Sequence, residues 1–260
     1  MPRRFAAALA ALLAGCAMLA PERPDDSLEL PQVGPFSKAP PGAALPAGWR
    51  RWEIAAFKRP TRYRLVDHGG RAVVSAYAHS SASGLVFPVD VDLAEYPYLH
   101  WHWMVPRLIA SADNSRRQAE DSPVRVMVAF DGDRSNLAFE DRIAFDQFRM
   151  LTRQELPYAT LIYIWENRLP KETVIASAHT SRIQMIVVES GAASVGDWPE
   201  YVRDVRADYR RAFGEEPGRV RFVGIMTDTD NTGEEASGYY GDIRFVRRRP
   251  PAATPYFGGF

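Results

Sequence analysis

The chain has 260 residues, of which 46% are hydrophobic and 25% charged, a composition that is ordinary for a folded protein and excludes a disordered or fibrous one. Lysine and arginine total 32, and aspartate and glutamate also total 32, so there is no basic excess to attract nucleic acid, and we expect none to be bound. The only cysteine is Cys16, which excludes an internal disulfide and a metal site built from several thiolates.

The first 15 residues have the pattern of a bacterial lipoprotein signal peptide. Arg3 and Arg4 form a positive start, and the apolar run Phe5–Ala14 is too short to span a bilayer. The run ends in Leu-Ala-Gly-Cys, which resembles the lipobox at which such lipoproteins are cleaved. The resemblance implies that Cys16 becomes a lipid-bearing N-terminus whose acyl chains anchor the protein to a membrane. The alternative is an ordinary signal peptide whose apolar run contains a cysteine.

Residues 16–48 are predicted to be a proline-rich linker, because they contain seven prolines and few apolar residues. Such a chain stays extended and acts as a semi-rigid spacer. No aspartate follows Cys16, which favours the outer membrane over the inner one by analogy with other lipoproteins. We therefore expect a periplasm-facing outer-membrane lipoprotein of a Gram-negative envelope. At the other end, residues 247–260 are expected to be a basic, proline-containing tail.

Residues 49–246 are predicted to form one mainly β domain, an antiparallel β-sandwich with one or two decorating α-helices. Short segments of alternating apolar and polar residues predominate, without the strand–helix alternation of a parallel sheet. The clearest strand is Tyr98–Val105, whose apolar set includes Trp101 and Trp103 and should face the core. Residues 161–167 are apolar on both faces, as in a central strand. Residues 173–178 and 183–188 are expected to form a hairpin.

Two segments are predicted to be helical. Residues 136–151 place Phe139, Ile143 and Met150 at a spacing close to 3.6. The second helix is predicted to begin at Asp197, with Glu200 completing a capping box, and to end at Gly214.

Five stretches of the domain are similar to one known family, and they lie at residues 98–103, 124–130, 156–167, 225–233 and 240–245. Together they resemble the bacterial domain of unknown function 3047 family, over roughly residues 49–246. The pattern of that family is similar to jelly-roll and galactose-binding-like modules, so the resemblance implies a sandwich of this kind. The family has no established activity, so the resemblance implies no catalytic residue.

The loop after residue 227 is the leading candidate site, because charged, amide and hydroxyl side chains crowd between two apolar strands. Its members are Asp228, Asp230, Asn231 and Thr232, with Asp242 further along. Oxygen ligands at alternate positions, followed by a glycine, make Asp228 and Asp230 a candidate calcium site, with Glu234, Glu235 or Asp242 as further ligands. Direct ligand recognition and a loop that satisfies only its own backbone are the alternatives.

Four other groups of residues are candidates. Arg125 lies within a strand, where it must either pair with a carboxylate such as Asp228 or wait for a polar ligand. His100 and His102 share one strand face and could bind zinc if His79 supplied a third ligand, or could line a half-exposed sheet face.

The carboxylates of Asp90, Asp92 and Glu95 have a spacing typical of sandwich-fold glycoside hydrolases. The plainer interpretation is that they lie where a strand leaves the core toward the strand of Trp101. Stacking of sugars on Trp101, Trp103 and Trp165 is the alternative to packing these rings in the core.

These features predict a lipid-anchored envelope protein with no catalytic residue, which binds a saccharide or another polar envelope component. The predicted ligand-binding residues are those of the 228–242 loop and the 111–121 loop, together with Arg125, His100 and His102. No cofactor is expected other than the candidate calcium ion. The alternatives are a polysaccharide hydrolase of sandwich fold and a scaffold that docks an unknown protein partner.

Overall fold

The computed structural model describes residues 29–40, 42, 45–251 and 256, including the side chains from residue 33 onward. The predicted signal peptide, Cys16 and most of the predicted tail lie outside these residues. No helix in the described part of the chain has the length and apolar character needed to cross a membrane.

Thirteen strands and two α-helices make up the described fold, besides three short 3-10 turns. In chain order they are β1 (Glu29–Gly34), β2 (Arg50–Glu53), β3 (Arg62–His68), β4 (Arg71–His79), β5 (Ala82–Val91), β6 (Tyr98–Met104), β7 (Arg125–Phe130), α1 (Phe139–Thr152), β8 (Ala159–Glu166), β9 (Val174–Ala176), β10 (Ile183–Ser190), β11 (Glu200–Asp204), α2 (Val205–Phe213), β12 (Val220–Asp228) and β13 (Glu235–Val246).

The strands form two sheets. Sheet A has the order β11-β6-β13-β4-β3, with β1 also paired to β13, and sheet B has the order β2-β5-β12-β7-β8-β10-β9. The predicted mainly β sandwich with decorating helices is therefore confirmed. One pair departs from the antiparallel prediction, because β8 and β10 are parallel. The chain leaves β8, forms β9 at the sheet edge and returns through β10 between them, and β9 and β10 are the predicted antiparallel hairpin.

The core lies between the inner faces of the two sheets. Trp101 and Trp103 on β6 and Trp165 on β8 are fully buried, and Trp101 stacks on Tyr163 with ring centroids 5.0 Å apart. Every residue of β8 is buried, as the prediction of a central strand requires. The three tryptophans therefore pack in the core and offer no exposed face to a sugar.

The structure differs from the predicted linker over residues 29–40. Strand β1 pairs with β13, and a short 3-10 turn follows at Phe36–Lys38. Val33 and Phe36 are buried in the main core, where the Phe36 ring contacts Trp49. These two side chains gain more from burial than proline-rich chain gains from staying extended, so this part of the linker joins the sandwich.

The second predicted helix starts eight residues too early. Residues 200–204 form strand β11, which pairs with the edge of β6, so Asp197 and Glu200 do not form a capping box. Helix α2 is instead capped by Asp204, whose carboxylate accepts a hydrogen bond from the Ala207 amide at 2.9 Å. Its end at Gly214, in the left-handed conformation, agrees with the prediction.

Helix α1 agrees with its predicted position, but it presents its apolar stripe outward. Asp141 and Phe145 are buried, and Asp141 accepts hydrogen bonds from Thr180 and Ser181 at the turn before β10. Phe139, Ile143 and Met150 are exposed.

Candidate functional site

Arg125 and Asp228 form a buried ion pair at one end of sheet B. Arg125 Nε donates to Asp228 Oδ1 at 2.8 Å and Nη2 donates to Oδ2 at 3.0 Å, and both residues are at least 96% buried. The guanidinium also donates to the Glu120 carbonyl oxygen, and the Ser122 amide donates to Asp228. Arg125 therefore has the carboxylate partner that the sequence offered as one alternative, and both groups are committed to the fold.

The Asp228 carboxylate of this pair belongs to a cluster of three carboxylates. Oxygens of Asp121, Asp228 and Asp230 lie within 4.8 Å of one another. Burial raises the pKa of the Asp228 carboxyl to about 7, the Arg125 guanidinium opposes that rise, and the charge of Asp121 adds to it. Lys58 Nζ lies 2.5 Å from Asp230 Oδ2. The cationic side chains of Arg125 and Lys58 thus already neutralise part of this candidate calcium cluster. Asp121 is the one member of the cluster that the sequence did not suggest as a calcium ligand.

The remaining members of the predicted 228–242 site do not converge. Asp121 accepts hydrogen bonds from the amides of Asn231 and Thr232, which ties this loop to the loop before β7. Asp242 lies elsewhere on β13, where it accepts hydrogen bonds from the amide and hydroxyl of Ser37.

The other two proposed calcium ligands are also engaged away from the cluster. Glu234 accepts hydrogen bonds from Ser111, and Glu235 contacts His79. The separation arises because β13 carries residues 235–246 away from the loop as an extended strand.

His100 and His102 are brought together with Glu200, and not with His79. Ligand atoms of the three residues lie within 4.8 Å of one another, whereas His79 is at the far end of β4 beside Glu235. His100 Nδ1 accepts a hydrogen bond from Arg244 Nε at 2.9 Å, and His100 Nε2 lies 2.5 Å from Glu200. Because Nδ1 accepts, the ring proton must lie on Nε2. A zinc-bound imidazole needs its second nitrogen to donate, so this arrangement argues against zinc at His100.

Both histidines are held in the neutral form. Burial, followed by the charge of Arg244, lowers the pKa of His100 to about 4. Burial, His100, Arg244 and Arg71 lower the pKa of His102 to about 3. His102 is 5% exposed, and its Nδ1 has no hydrogen-bond partner among the described residues. Neither ring lines a half-exposed sheet face, so their contribution is to the fold.

The carboxylates with hydrolase-like spacing are exposed and ion-paired. Asp90 binds both Arg219 and Arg221, and Arg219 also reaches Asp92 at 3.4 Å. The charge and hydrogen bonds of Arg219 lower the pKa of Asp90, which leaves no protonated acid there at neutral pH. Glu95 pairs instead with Arg247. This arrangement offers neither a general acid nor a carboxylate pair facing a common cleft.

The outer face of sheet A carries a depression that sequence reasoning missed. It encloses about 360 Å³, and its polar and aromatic lining comes from Arg62, Arg64, Ser75, Tyr77, Ser237 and Tyr239. The strand register produces this set as two rows. Arg62, Tyr77 and Ser237 lie side by side across β3, β4 and β13, and Arg64, Ser75 and Tyr239 form the next row.

The depression carries exposed positive charge and aromatic rings. Arg62 and Arg64 are exposed, and no carboxylate is among the described residues that line the depression. The Arg62 guanidinium lies 4.8 Å from the centre of the Tyr77 ring. Tyr77 and Tyr239 are half-buried, and the Tyr77 hydroxyl is hydrogen-bonded to Glu235. The sequence alone shows that alternate residues of segments 62–64, 75–77 and 237–239 can share one strand face. Only the register of the strands shows that the three segments are neighbours.

Aromatic rings continue the surface beyond Tyr239. The His68 ring lies 5.8 Å from Tyr239 and 5.2 Å from Trp198, and Trp198 stacks on Tyr256 at 5.4 Å. The Tyr256 ring in turn covers His102. The outer face of sheet A is therefore an aromatic surface with Arg62 and Arg64 at one end and Arg71 over the Tyr256 ring, which we call the sheet A platform.

A profile of the family described as protein of unknown function (DUF3047) matches residues 47–244. The chain belongs to this family. The match covers the sandwich from before β2 to within two residues of the end of β13, and so confirms the resemblance found in the sequence. A search of curated proteins found no match for this DUF3047 chain.

Solved structures similar to this DUF3047 chain include a carbohydrate-binding module and a xyloglucanase domain. The family 11 carbohydrate-binding module of the cellulosomal cellulase Lic26A-Cel5E of Clostridium thermocellum aligns with a TM-score of 0.43 and 8% identity, over 86% of this chain and 98% of that one. The xyloglucanase domain of NopAA from Sinorhizobium fredii also aligns with a TM-score of 0.43 and 8% identity, over 81% of this chain and 99% of that one. At these low TM-scores, the fold assignment rests on the sheets described above.

Proposed function

We propose that this protein is a non-catalytic binding module for an acidic saccharide, and that the saccharide binds on the sheet A platform. The observation that carries the proposal is the depression with two exposed guanidinium groups, two accessible tyrosine rings, two serine hydroxyls and no lining carboxylate. Its volume is within the usual range for a small-ligand site.

The chemistry of the lining fits a sugar better than an apolar ligand. A partly exposed tyrosine ring packs against the apolar face of a pyranose, and Tyr77 and Tyr239 offer two such rings on neighbouring strands. Ser75 and Ser237 can donate to or accept from sugar hydroxyls. Arg62 and Arg64 have planar forks that match a carboxylate or a sulfate, which favours an acidic sugar over a neutral one.

The proposed binding site therefore moves from the predicted 228–242 loop to the outer face of β3, β4 and β13. The loop oxygens are engaged by Lys58, Arg125 and neighbouring amides, whereas the platform keeps charged and aromatic groups accessible. The proposal keeps the lipid anchor at Cys16 and the outer-membrane location, with the platform facing polysaccharide in the periplasm. The support for these two points is the sequence pattern of residues 1–16.

Isothermal calorimetry against a panel of acidic and neutral oligosaccharides tests the proposal. We expect heat with at least one uronic-acid or sulfated oligosaccharide, less or none with its neutral counterpart, and at least a tenfold loss of affinity in Tyr239→Ala and in Arg64→Ala. Arg51→Ala is the matched control, because Arg51 is an exposed strand arginine on sheet B. Equal losses in Arg51→Ala and Arg64→Ala, or binding by neutral sugars alone, would contradict the proposal.

A further inference from the structure

The sheet A platform extends well beyond the depression. Alternate side chains of a strand point to the same side, so Arg62, Arg64 and His68 on β3 share the outer face of the sheet. His68 follows six residues after Arg62, which places the two about 20 Å apart along the strand. The depression lies at the Arg62 end, and His68 is not among the residues that line it. The outer face therefore offers a surface longer than a single sugar ring.

The far end of this surface carries a third arginine. Arg71 lies opposite His68 in the register of β3 and β4, and its side chain is exposed. Its guanidinium lies 5.0 Å from the centre of the Tyr256 ring. Like Arg62 and Arg64, Arg71 forms no ion pair with a carboxylate among the described residues. Because a guanidinium fork matches a carboxylate or a sulfate, each end of the platform can bind an acidic group.

Aromatic rings connect the two ends. The Tyr239 ring lies 5.8 Å from the His68 ring, which lies 5.2 Å from the Trp198 ring. The Trp198 indole donates a hydrogen bond to His68 Nε2 at 3.2 Å, which fixes these two rings to each other. All three residues are half-buried, although tryptophan is highly buried on average. Rings that are held at the surface in this way suit the apolar faces of sugars.

The loop that carries Trp198 is held in place by its own backbone. The Gly196 amide donates to the Val105 carbonyl oxygen at 2.9 Å, and the Asp197 amide donates to that of Ser194 at 3.1 Å. Gly196 has a φ of 88°, which glycine adopts without strain. Trp198 is therefore presented in a fixed position, and little conformational entropy is lost when a sugar packs on it.

Tyr256, beyond the end of β13, supports Trp198 from within a fitted slot. Its ring is 7% exposed, stacks on Trp198 at 5.4 Å and lies 4.1 Å from the His102 ring. Its hydroxyl accepts a hydrogen bond from the Asp242 amide at 3.1 Å. Gly241 leaves room for the ring, because a Cβ atom at that position would lie 2.7 Å from it. Tyr256 is therefore a positioning residue, which acts on a ligand through Trp198.

We propose that the sheet A platform binds a linear segment of an acidic polysaccharide, several units long, rather than a single acidic sugar. One acidic group binds at Arg62 and Arg64, a second binds at Arg71, and the units between them stack on Tyr239 and Trp198. The inference rests on the proposed function, because it adds units to a saccharide that already occupies the depression. A disaccharide fills the depression and does not reach Arg71 or Trp198.

Calorimetry with oligosaccharides of increasing length tests the proposal. The probes are oligogalacturonates and heparin fragments, each taken from the disaccharide to the hexasaccharide. Affinity for at least one series should rise at least tenfold with length, and binding that begins only above the disaccharide is the same outcome. Trp198→Ala and Arg71→Ala should each remove most of the rise. Both variants should leave any disaccharide affinity within about twofold, because the depression is intact.

The matched controls are Trp52→Ala and Arg51→Ala, a half-buried tryptophan and an exposed arginine of sheet B, which should keep the rise. If a disaccharide binds as tightly as the hexasaccharide, or if Trp198→Ala keeps the rise, the proposal is wrong and the short site in the depression stands. If no acidic oligosaccharide of any length gives heat, the proposed function itself fails, and this proposal fails with it.

The positioning role of Tyr256 has a test that needs no saccharide. The fluorescence of Trp198 is measured as the difference between the protein and its Trp198→Phe variant. Tyr256→Ala should raise iodide quenching of that signal at least twofold, and should lower hexasaccharide affinity as far as Trp198→Ala does. Tyr256→Phe keeps the ring and should preserve both values within about twofold. Unchanged quenching and affinity in Tyr256→Ala would contradict the positioning role.

Discussion

Replacing His102 by phenylalanine should make the protein more resistant to acid. The ring of His102 is 95% buried, its Nδ1 has no partner among the described residues, and its pKa is lowered to about 3. His102 therefore stays neutral in the folded state at pH values where the same side chain in the unfolded chain, with a pKa of about 6.5, is protonated. A group whose folded pKa is depressed contributes stability above the unfolded pKa, and that contribution is lost as the pH falls towards the folded pKa.

The size of the effect follows from this difference. Each pH unit below about 6.5 costs the folded state about 1.4 kcal/mol, so His102 alone removes about 2 kcal/mol by pH 5. Phenylalanine keeps the contact with the Tyr256 ring, which lies 4.1 Å from the imidazole, and removes a buried unsatisfied nitrogen. We expect His102→Phe to be within about 1 kcal/mol of the wild type at pH 7.5 and about 2 kcal/mol more stable than it at pH 5.

Urea unfolding at both pH values measures this difference, with the fluorescence of the buried tryptophans as the signal. Carboxylates that titrate near pH 5 affect both proteins equally, so the comparison isolates the histidine. If wild type and variant lose stability in parallel between pH 7.5 and 5, the depressed pKa of His102 is refuted.

Four further outcomes are expected. Arg125→Ala should cost about 3–5 kcal/mol in urea unfolding, because it leaves Asp228 buried without its partner, and a cost below 1 kcal/mol would contradict the ion pair. The melting temperature should be the same within a degree in calcium and in a chelator, because Arg125 and Lys58 already neutralise part of the acidic cluster. A melting temperature that rises with calcium would support the calcium-site hypothesis instead. Asp204→Ala should cost about 1 kcal/mol through loss of the α2 cap, whereas Asp197→Ala should cost almost nothing. Mass spectrometry of the membrane-extracted protein should find acyl groups on Cys16, and an unmodified cysteine would end the anchoring proposal.

The sequence predicted the sandwich because most of its segments alternate in hydrophobicity, while the segment of β8 is apolar on both faces, as in a central strand. Strand β6 shows this most clearly, since Leu99, Trp101 and Trp103 alternate and all lie in the core. The prediction failed where tertiary pairing overrode a local pattern. Strand β11 has the spacing of a helix, but the exposed edge of β6 offers it backbone hydrogen bonds, and the real helix begins at the next capping residue.

The candidate site was harder to predict, because it depends on strands far apart in the chain. Arg62, Tyr77 and Tyr239 are unremarkable in their own segments, and they meet only because β3, β4 and β13 are neighbours in sheet A. The acidic loop drew attention because its polar residues are consecutive. Polar residues close together in a loop can also bond one another, as the hydrogen bond from the Glu234 amide to the Thr232 hydroxyl shows.

Mapping the bound saccharide by hydrogen–deuterium exchange tests the central claim most directly. Calorimetry first identifies an acidic oligosaccharide that binds, and exchange is then compared with and without it. The account predicts slower exchange in residues 62–66, 75–77 and 237–239 of the sheet A platform, with no change in residues 228–234. Protection of residues 228–234 and 111–121, with the platform unaffected, would contradict the account and return the site to the acidic loop.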